Sequence, residues 1–172
     1  SEFGLSGSRS ALDDFMAGCV WTGAAAQPRP ASRGPTPIWF ASEYIDDRSG
    51  QRVSTLSFGV PETDRTAIRA SCTAVDAVTL DVLGGGGSLP KGTFVSLRIG
   101  IGERSQNYSG QVFHDTSEWS GIRVRMNAGD PLWRAMQSAP IISFEVAGSG
   151  PKFLPGQGAE PAVAQFLSAC GV

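Results

Sequence analysis

The feature that most constrains the fold of this chain is a period-two alternation of apolar and polar residues that begins at Ile38. The clearest stretches are "RVSTLSFGV", "AIRASC", "AVTLDVL" and "TFVSLRIGI". Successive side chains of a strand point to opposite faces of a sheet, so each stretch predicts a strand with one buried face. Strands at this spacing are typical of antiparallel sandwiches and barrels. We therefore predict a mainly β fold, an antiparallel β-sandwich or barrel-like domain over residues 38–172.

Shorter strands complete this prediction. They cover residues 38–42, 108–112, 119–126 and 141–148. The glycine-rich run "GGGGSLPKG" (residues 84–92) separates two of the longer strands and predicts a hairpin connection. Because "GGGGS" also matches a common engineered linker, the sequence leaves open whether this run is native.

Two short helices are predicted near the C-terminus. In "DPLWRAMQSA", Asp130 is a suitable N-cap and Pro131 suits the first helical position. In "EPAVAQFLSAC", Pro161 lies near the helix start, and an apolar stripe runs through Val163, Phe166, Leu167 and Cys170.

The N-terminal part of the chain differs from the rest. Residues 1–22 contain "SALDDFMAGC", whose apolar spacing predicts a helix, and residues 23–37 form a Pro/Ala-rich linker. The helix ends on a Cys, as the C-terminal one does. We interpret residues 1–22 either as the tail of a preceding related domain or as a short amphipathic helix that is similar by chance; the leading "SEF" is typical of a cloning scar.

The chain has three cysteines, Cys19, Cys72 and Cys170, and no C-x-x-C motif. This pattern and the single histidine argue against a metal site, and no cofactor is expected. Cys72 occupies an inward position of a strand and Cys170 lies on the apolar stripe, so we predict a Cys72–Cys170 disulfide. A Cys19–Cys72 bridge and three free thiols remain open alternatives. A disulfide implies the periplasm or the extracellular space, and an unpaired Cys19 could join two chains.

Charge and hydropathy exclude two classes of partner. The net charge is −2 and the isoelectric point is about 5.4, so no nucleic-acid partner is expected. No segment approaches the roughly 20 apolar residues that a membrane span requires.

The sequence predicts no catalytic residue. His114, the only histidine, is followed by Asp115, but neighbours on a strand point to opposite faces and cannot form an orienting pair. The glycines at 84–87 lack the Lys and the helix of a phosphate-binding loop.

Aromatic residues point instead to binding. Tyr108 and Trp119 flank a predicted hairpin with polar residues, which would suit an envelope protein or a glycan if these rings are exposed rather than buried in the core. With His114 and Arg123, they form the candidate binding surface.

The domain resembles bacterial envelope proteins associated with type VI secretion. The features that carry the resemblance, between residues 38 and 170, are Trp39, the Asp46–Asp47 turn, Cys72, the strand of Val78, Leu80 and Val82, Trp119 and the closing "AVAQFLSAC". The resemblance implies a periplasmic β-rich accessory domain without catalysis and assigns no active-site residue.

We expect a non-enzymatic periplasmic or secreted domain that binds a cell-envelope partner. One alternative is a cell-wall hydrolase, or an inhibitor of such a hydrolase, that acts through the Tyr108–Trp119 hairpin. Another is a purely structural module of an envelope assembly.

Overall fold

A computed structural model describes residues 34–116 and 119–172 of the chain. These residues form nine strands and two helices, and the prediction of a mainly β fold with two helices toward the C-terminus is confirmed. The strands are β1 (Ile38–Ile45), β2 (Arg52–Gly59), β3 (Thr66–Ala74), β4 (Ala77–Leu83), β5 (Phe94–Ile101), β6 (Arg104–His114), β7 (Ser120–Met126), β8 (Ile141–Val146) and β9 (Lys152–Pro155), and the helices are α1 (Pro131–Ser138) and α2 (Ala159–Ala169).

Several predictions for the N-terminal part lie outside the described residues. These are the helix in residues 1–22, the linker in residues 23–37 apart from 34–37, and any role of Cys19.

All nine strands belong to one antiparallel sheet with the order β1-β2-β3-β4-β7-β6-β5-β8-β9. The sheet curls so that its two edge strands approach each other. The indole Nε1 of Trp39 in β1 donates a hydrogen bond of 2.7 Å to the carbonyl oxygen of Pro155 in β9. The result is a barrel-like sheet whose concave side holds the core; we call that side the inner face and the opposite side the outer face.

The prediction of a hairpin at residues 84–92 is wrong. β4 pairs with β7 rather than with β5, so the glycine-rich segment is a crossover to the far strand of the β5-β6-β7 meander, a Greek-key arrangement. The segment packs closely against the core: a Cβ added at Gly85 would lie 3.0 Å from Val146 Cγ2, and one added at Gly86 would lie 3.2 Å from Val112 Cγ1. Since β4 and β5 carry the same alternation, the pattern identifies strands but does not show which strands are neighbours.

Strand β9 is not among the strands that the sequence predicts. It is only four residues long, and of these only Leu154 is buried. A strand of four residues with one buried side chain is too short to show an alternating pattern, and β9 pairs with β8 along its edge.

The inner face is apolar across the sheet. Leu56, Ala70, Leu80 and Val124 form one cross-strand row over β2, β3, β4 and β7, and each is 1% exposed. Burial of such side chains stabilises a fold by about 25 cal/mol per Å² of apolar area.

Both helices contribute to this core. Asp130 caps α1, as predicted, because its carboxylate accepts a 2.8 Å hydrogen bond from the backbone N–H of Leu132, and Pro131 follows it. Trp133 of α1 is fully buried, and its ring centroid lies 5.5 Å from that of Phe166 in α2. Neither helix in the described part of the chain is long and apolar enough to cross a membrane.

The predicted Cys72–Cys170 disulfide is confirmed. The two Cα atoms lie 5.9 Å apart, and both residues are buried. The bridge ties the end of α2 to the inner face of β3.

Candidate binding surface

The outer face carries a cross-strand row of charged, amide and aromatic side chains. We call it the outer row; it consists of Arg69 (β3), Asp81 (β4), Arg123 (β7), Gln111 (β6) and Phe94 (β5), which are direct partners in the sheet register. These residues alternate along their strands with the apolar residues of the inner face, which is why they point outward.

A second row of outward residues lies next to the outer row. Its members carry mostly hydroxyl groups, and we call it the hydroxyl row: Ser71, Thr79, Arg125, Ser109 and Ser96. Ser71 pairs with Thr79, Thr79 with Arg125, and Ser109 with Ser96.

Asp81 and Arg123 form the best-defined polar contact of the surface. Arg123 Nε and Nη2 donate hydrogen bonds of 2.7 and 2.8 Å to the two carboxylate oxygens of Asp81, which is 5% exposed. Arg123 Nη2 also donates a bond of 3.2 Å to Asp115, and its guanidinium lies 4.3 Å from the centroid of the Phe113 ring. The hydrogen bonds to Asp81, opposed by partial burial, raise the pKa of Arg123, so its charge is fixed in place.

Arg69 is positioned by aromatic rings instead of by a carboxylate. Its guanidinium carbon lies 5.6 Å from the centroid of Tyr44 and 5.4 Å from that of Trp119, distances typical of cation–π contacts. Its register neighbour Asp81 has both oxygens bonded to Arg123. Within the described residues, no carboxylate oxygen lies within 4.0 Å of Arg69 or of Arg125.

A groove of about 540 Å³ opens at the β5-β6-β7 end of the two rows. Phe94, whose surface is 74% exposed, stands at one side of this groove, and Arg123 and Arg125 stand at the other. Lys91 lies at its end, with Nζ 3.8 Å from Asp115 Oδ1. The groove therefore combines an exposed aromatic ring with several cationic donors.

Two of the four residues of the predicted surface, Trp119 and Arg123, belong to this outer face. His114 lies near them at the end of β6, and its Nε2 is 3.0 Å from the carbonyl oxygen of Leu89. The ring thus joins the crossover segment to the β6–β7 hairpin.

Tyr108 lies on the other side of the sheet, and the structure does not bring it together with Trp119. Tyr108 faces inward, in register with the buried Leu97, and its hydroxyl donates a 3.1 Å hydrogen bond to Asp130. Burial and then the nearby charge of Asp130 raise the pKa of Tyr108. This side chain supports the start of α1.

Sequence reasoning missed most of the surface, including Tyr44, Arg69, Asp81, Gln111 and Phe94. One signal was available: Asp81 is the single charged residue of the strand "AVTLDVL" and occupies one of its outward positions. Its contact with Arg123 depends on the pairing of β4 with β7, which the alternation does not reveal.

Comparison with known proteins adds no further assignment. No family model, no curated protein and no solved structure matches this chain. Within residues 34–116 and 119–172, no group of His, Cys, Asp and Glu side chains is arranged to hold a metal ion.

Proposed function

We propose that this chain is a non-enzymatic domain of the periplasm or the extracellular space that binds a cell-envelope partner through the outer face of its sheet. The observation that carries the proposal is the outer row, together with the aromatic side chains that pack on it. Phe94 and Tyr44 are 74% and 43% exposed, and exposed aromatic rings grouped with arginines are typical of interaction surfaces.

The surface is well suited to binding because its side chains are already held in position. Arg123 is fixed by two carboxylates and the Phe113 ring, and Arg69 is fixed by Tyr44 and Trp119. Since these long side chains are ordered before a partner arrives, binding costs less conformational entropy. Arg, Tyr and Trp are also the residue types that dominate binding energy at interfaces.

The contacts of His114 argue against its use as a general base. His114 Nε2 lies near a backbone carbonyl, while the carboxylate of Asp115 faces Lys91 and Arg123. A general base would instead need a nucleophile within hydrogen-bond distance and a carboxylate that orients its ring.

The Cys72–Cys170 disulfide supports the proposed location. Disulfides persist in the periplasm and outside the cell and are rare in the cytosol. The resemblance to envelope proteins associated with type VI secretion stays a prediction and agrees with this location.

The test measures how much purified protein is retained on a washed cell-envelope fraction of Gram-negative bacteria. We expect the wild type to be retained and the variants Arg69→Gln and Trp119→Ser to be retained less. Arg98→Gln serves as the matched control, because Arg98 is also exposed on the outer face but lies outside the rows, beside Glu145.

Equal retention of all four proteins, or none of the wild type, contradicts the proposal. Release of soluble fragments from cell walls that is lost in His114→Ala would instead establish the hydrolase alternative.

A further inference from the structure

We infer that the partner bound by the outer face is an acidic polysaccharide, whose sugar rings lie against Phe94 and Trp119 and whose carboxylates bind Arg69 and Arg125. This inference rests on the proposed function and names the class of ligand. It follows from the charge, the aromatic rings and the geometry of the two rows.

The net charge of this surface is positive, whereas the net charge of the whole chain is negative. The chain carries a net charge of −2, yet the outer row, the hydroxyl row and the groove carry four cationic and two anionic side chains: Arg69, Arg123, Arg125 and Lys91 against Asp81 and Asp115. The two carboxylates are engaged with Arg123 and Lys91. Arg69 and Arg125 are thus the cations best placed to accept an anionic group from outside.

The aromatic rings are spaced to bind more than one part of a ligand. Phe94 lies at one end of the outer row, on β5, and Arg69 lies at the other end, on β3; Trp119 directly precedes β7, and its ring packs on Arg69. With strands about 4.8 Å apart, the four intervals between β5 and β3 span about 19 Å. A ring at each end fits an extended ligand with apolar faces, and the C–H faces of sugar rings have this character.

The groups between the rings match a polyhydroxylated ligand. Gln111, Thr79, Ser71 and Ser109 point outward from strands, so their amide and hydroxyl groups are held at regular positions and can both donate and accept hydrogen bonds. Sugar hydroxyls need partners of both kinds.

The geometry favours a glycan over an acidic peptide. A peptide that binds a sheet commonly adds a strand at an exposed edge through its backbone. The outer row lies on the face of five interior strands, and at Arg69, Asp81, Arg123 and Gln111 the backbone is in register with a neighbouring strand on both sides. Only side chains are available there, and recognition must rely on rings, hydroxyls and charges.

The test uses polygalacturonate as the acidic probe and its fully methyl-esterified form as the neutral probe with the same backbone. We expect the purified protein to bind polygalacturonate, and to bind the ester and polyglutamate at least about tenfold more weakly. Arg125→Gln and Phe94→Ser should each weaken binding of polygalacturonate about tenfold, since a hydrogen bond to a charged group or a well-packed ring contributes on this scale. Both side chains are exposed, so both variants are expected to unfold at the wild-type temperature, and Arg98→Gln should bind as the wild type does.

Each outcome separates this inference from the proposed function. Retention on envelopes without binding of polygalacturonate overturns the glycan assignment and leaves the proposed function in place. Binding of polyglutamate that is as tight and does not depend on Phe94 identifies an acidic protein surface as the partner and also overturns it. Binding of polygalacturonate without retention on envelopes supports the ligand class and contradicts the envelope partner.

Discussion

The two faces of β4 differ in composition and in role. Val78, Leu80 and Val82 face inward and are between 1% and 3% exposed, whereas Thr79 and Asp81 face outward into the hydroxyl row and the outer row. The same seven-residue strand therefore contributes to the core with one set of side chains and to a candidate binding surface with the other. The core residues and the residues of the candidate binding surface lie on opposite faces of one strand, so we expect substitutions to affect stability and binding separately.

The strongest test of this separation compares neighbouring residues of β4. Leu80→Ala removes a side chain that is 1% exposed and should lower the free energy of unfolding by about 3 kcal/mol. Thr79→Ala on the outer face should change it by no more than about 0.5 kcal/mol. Urea denaturation measures both values, and a similar loss in the two variants would contradict the division between the faces.

The disulfide provides the second test, because it acts only from the inner side. Replacing both Cys72 and Cys170 with Ala releases a covalent tie between residues 98 positions apart and should lower the free energy of unfolding by about 2–4 kcal/mol. Retention on envelopes, measured well below the unfolding temperature, should be unchanged. A variant that stays folded but is no longer retained would show that the faces are coupled.

The crossover segment extends the comparison beyond the strands. A Cβ at Gly85 would press on Val146 and Ile122 of the core, so Gly85→Ala should lower the free energy of unfolding by about 1–2 kcal/mol. Gly150→Ala is the control, since nothing lies within 4 Å of the added atom and the backbone there has no positive φ. Thermal or urea denaturation measures both variants. Equal stability of the two would contradict the close packing of Gly85 against the core.

The last test concerns Tyr108, a residue of the sequence-predicted surface that faces inward. Tyr108→Phe removes a hydrogen bond to Asp130 and should lower the free energy of unfolding by about 1 kcal/mol at neutral pH. Because the pKa of Tyr108 is raised in the folded protein, the unfolded chain loses this proton first, and stability should fall as the pH rises above about 10. The Phe variant lacks this contribution, so urea denaturation at pH 9 and pH 11 should show a smaller decline than in the wild type.

Local patterns predicted the parts of the fold that depend on local physics. The alternation in "AVTLDVL" identified β4, and the Asp130–Pro131 pair identified the start of α1. The inward position of Cys72 and the apolar stripe that ends at Cys170 favoured their bridge, with Cys19 as an open alternative partner. These predictions needed only the period of a strand, the chemistry of a helix cap and the apolar stripe of a helix.

Features that depend on the order of strands could not be predicted in this way. The contact between Asp81 and Arg123 exists because β4 pairs with β7, and residues 84–92 connect distant strands for the same reason. Tyr108 was expected on an exposed hairpin, but β6 begins at Arg104 and carries Tyr108 into the partly buried layer beside Asp130.

The bridge between Cys72 and Cys170 also determines how the domain would respond to mechanical tension. A pull on the end of the chain reaches Cys170 and passes through sulfur to Cys72 in β3, which is flanked by β2 and β4. The force therefore does not act on the edge strand β9 or the helix α2, which would otherwise detach first. A force applied between the C-terminus and the residues before β1 would load only β1, β2 and β3, because every later element lies inside the covalent loop between Cys72 and Cys170. A reducing agent would open this loop and let α2 and β9 detach from the C-terminal end.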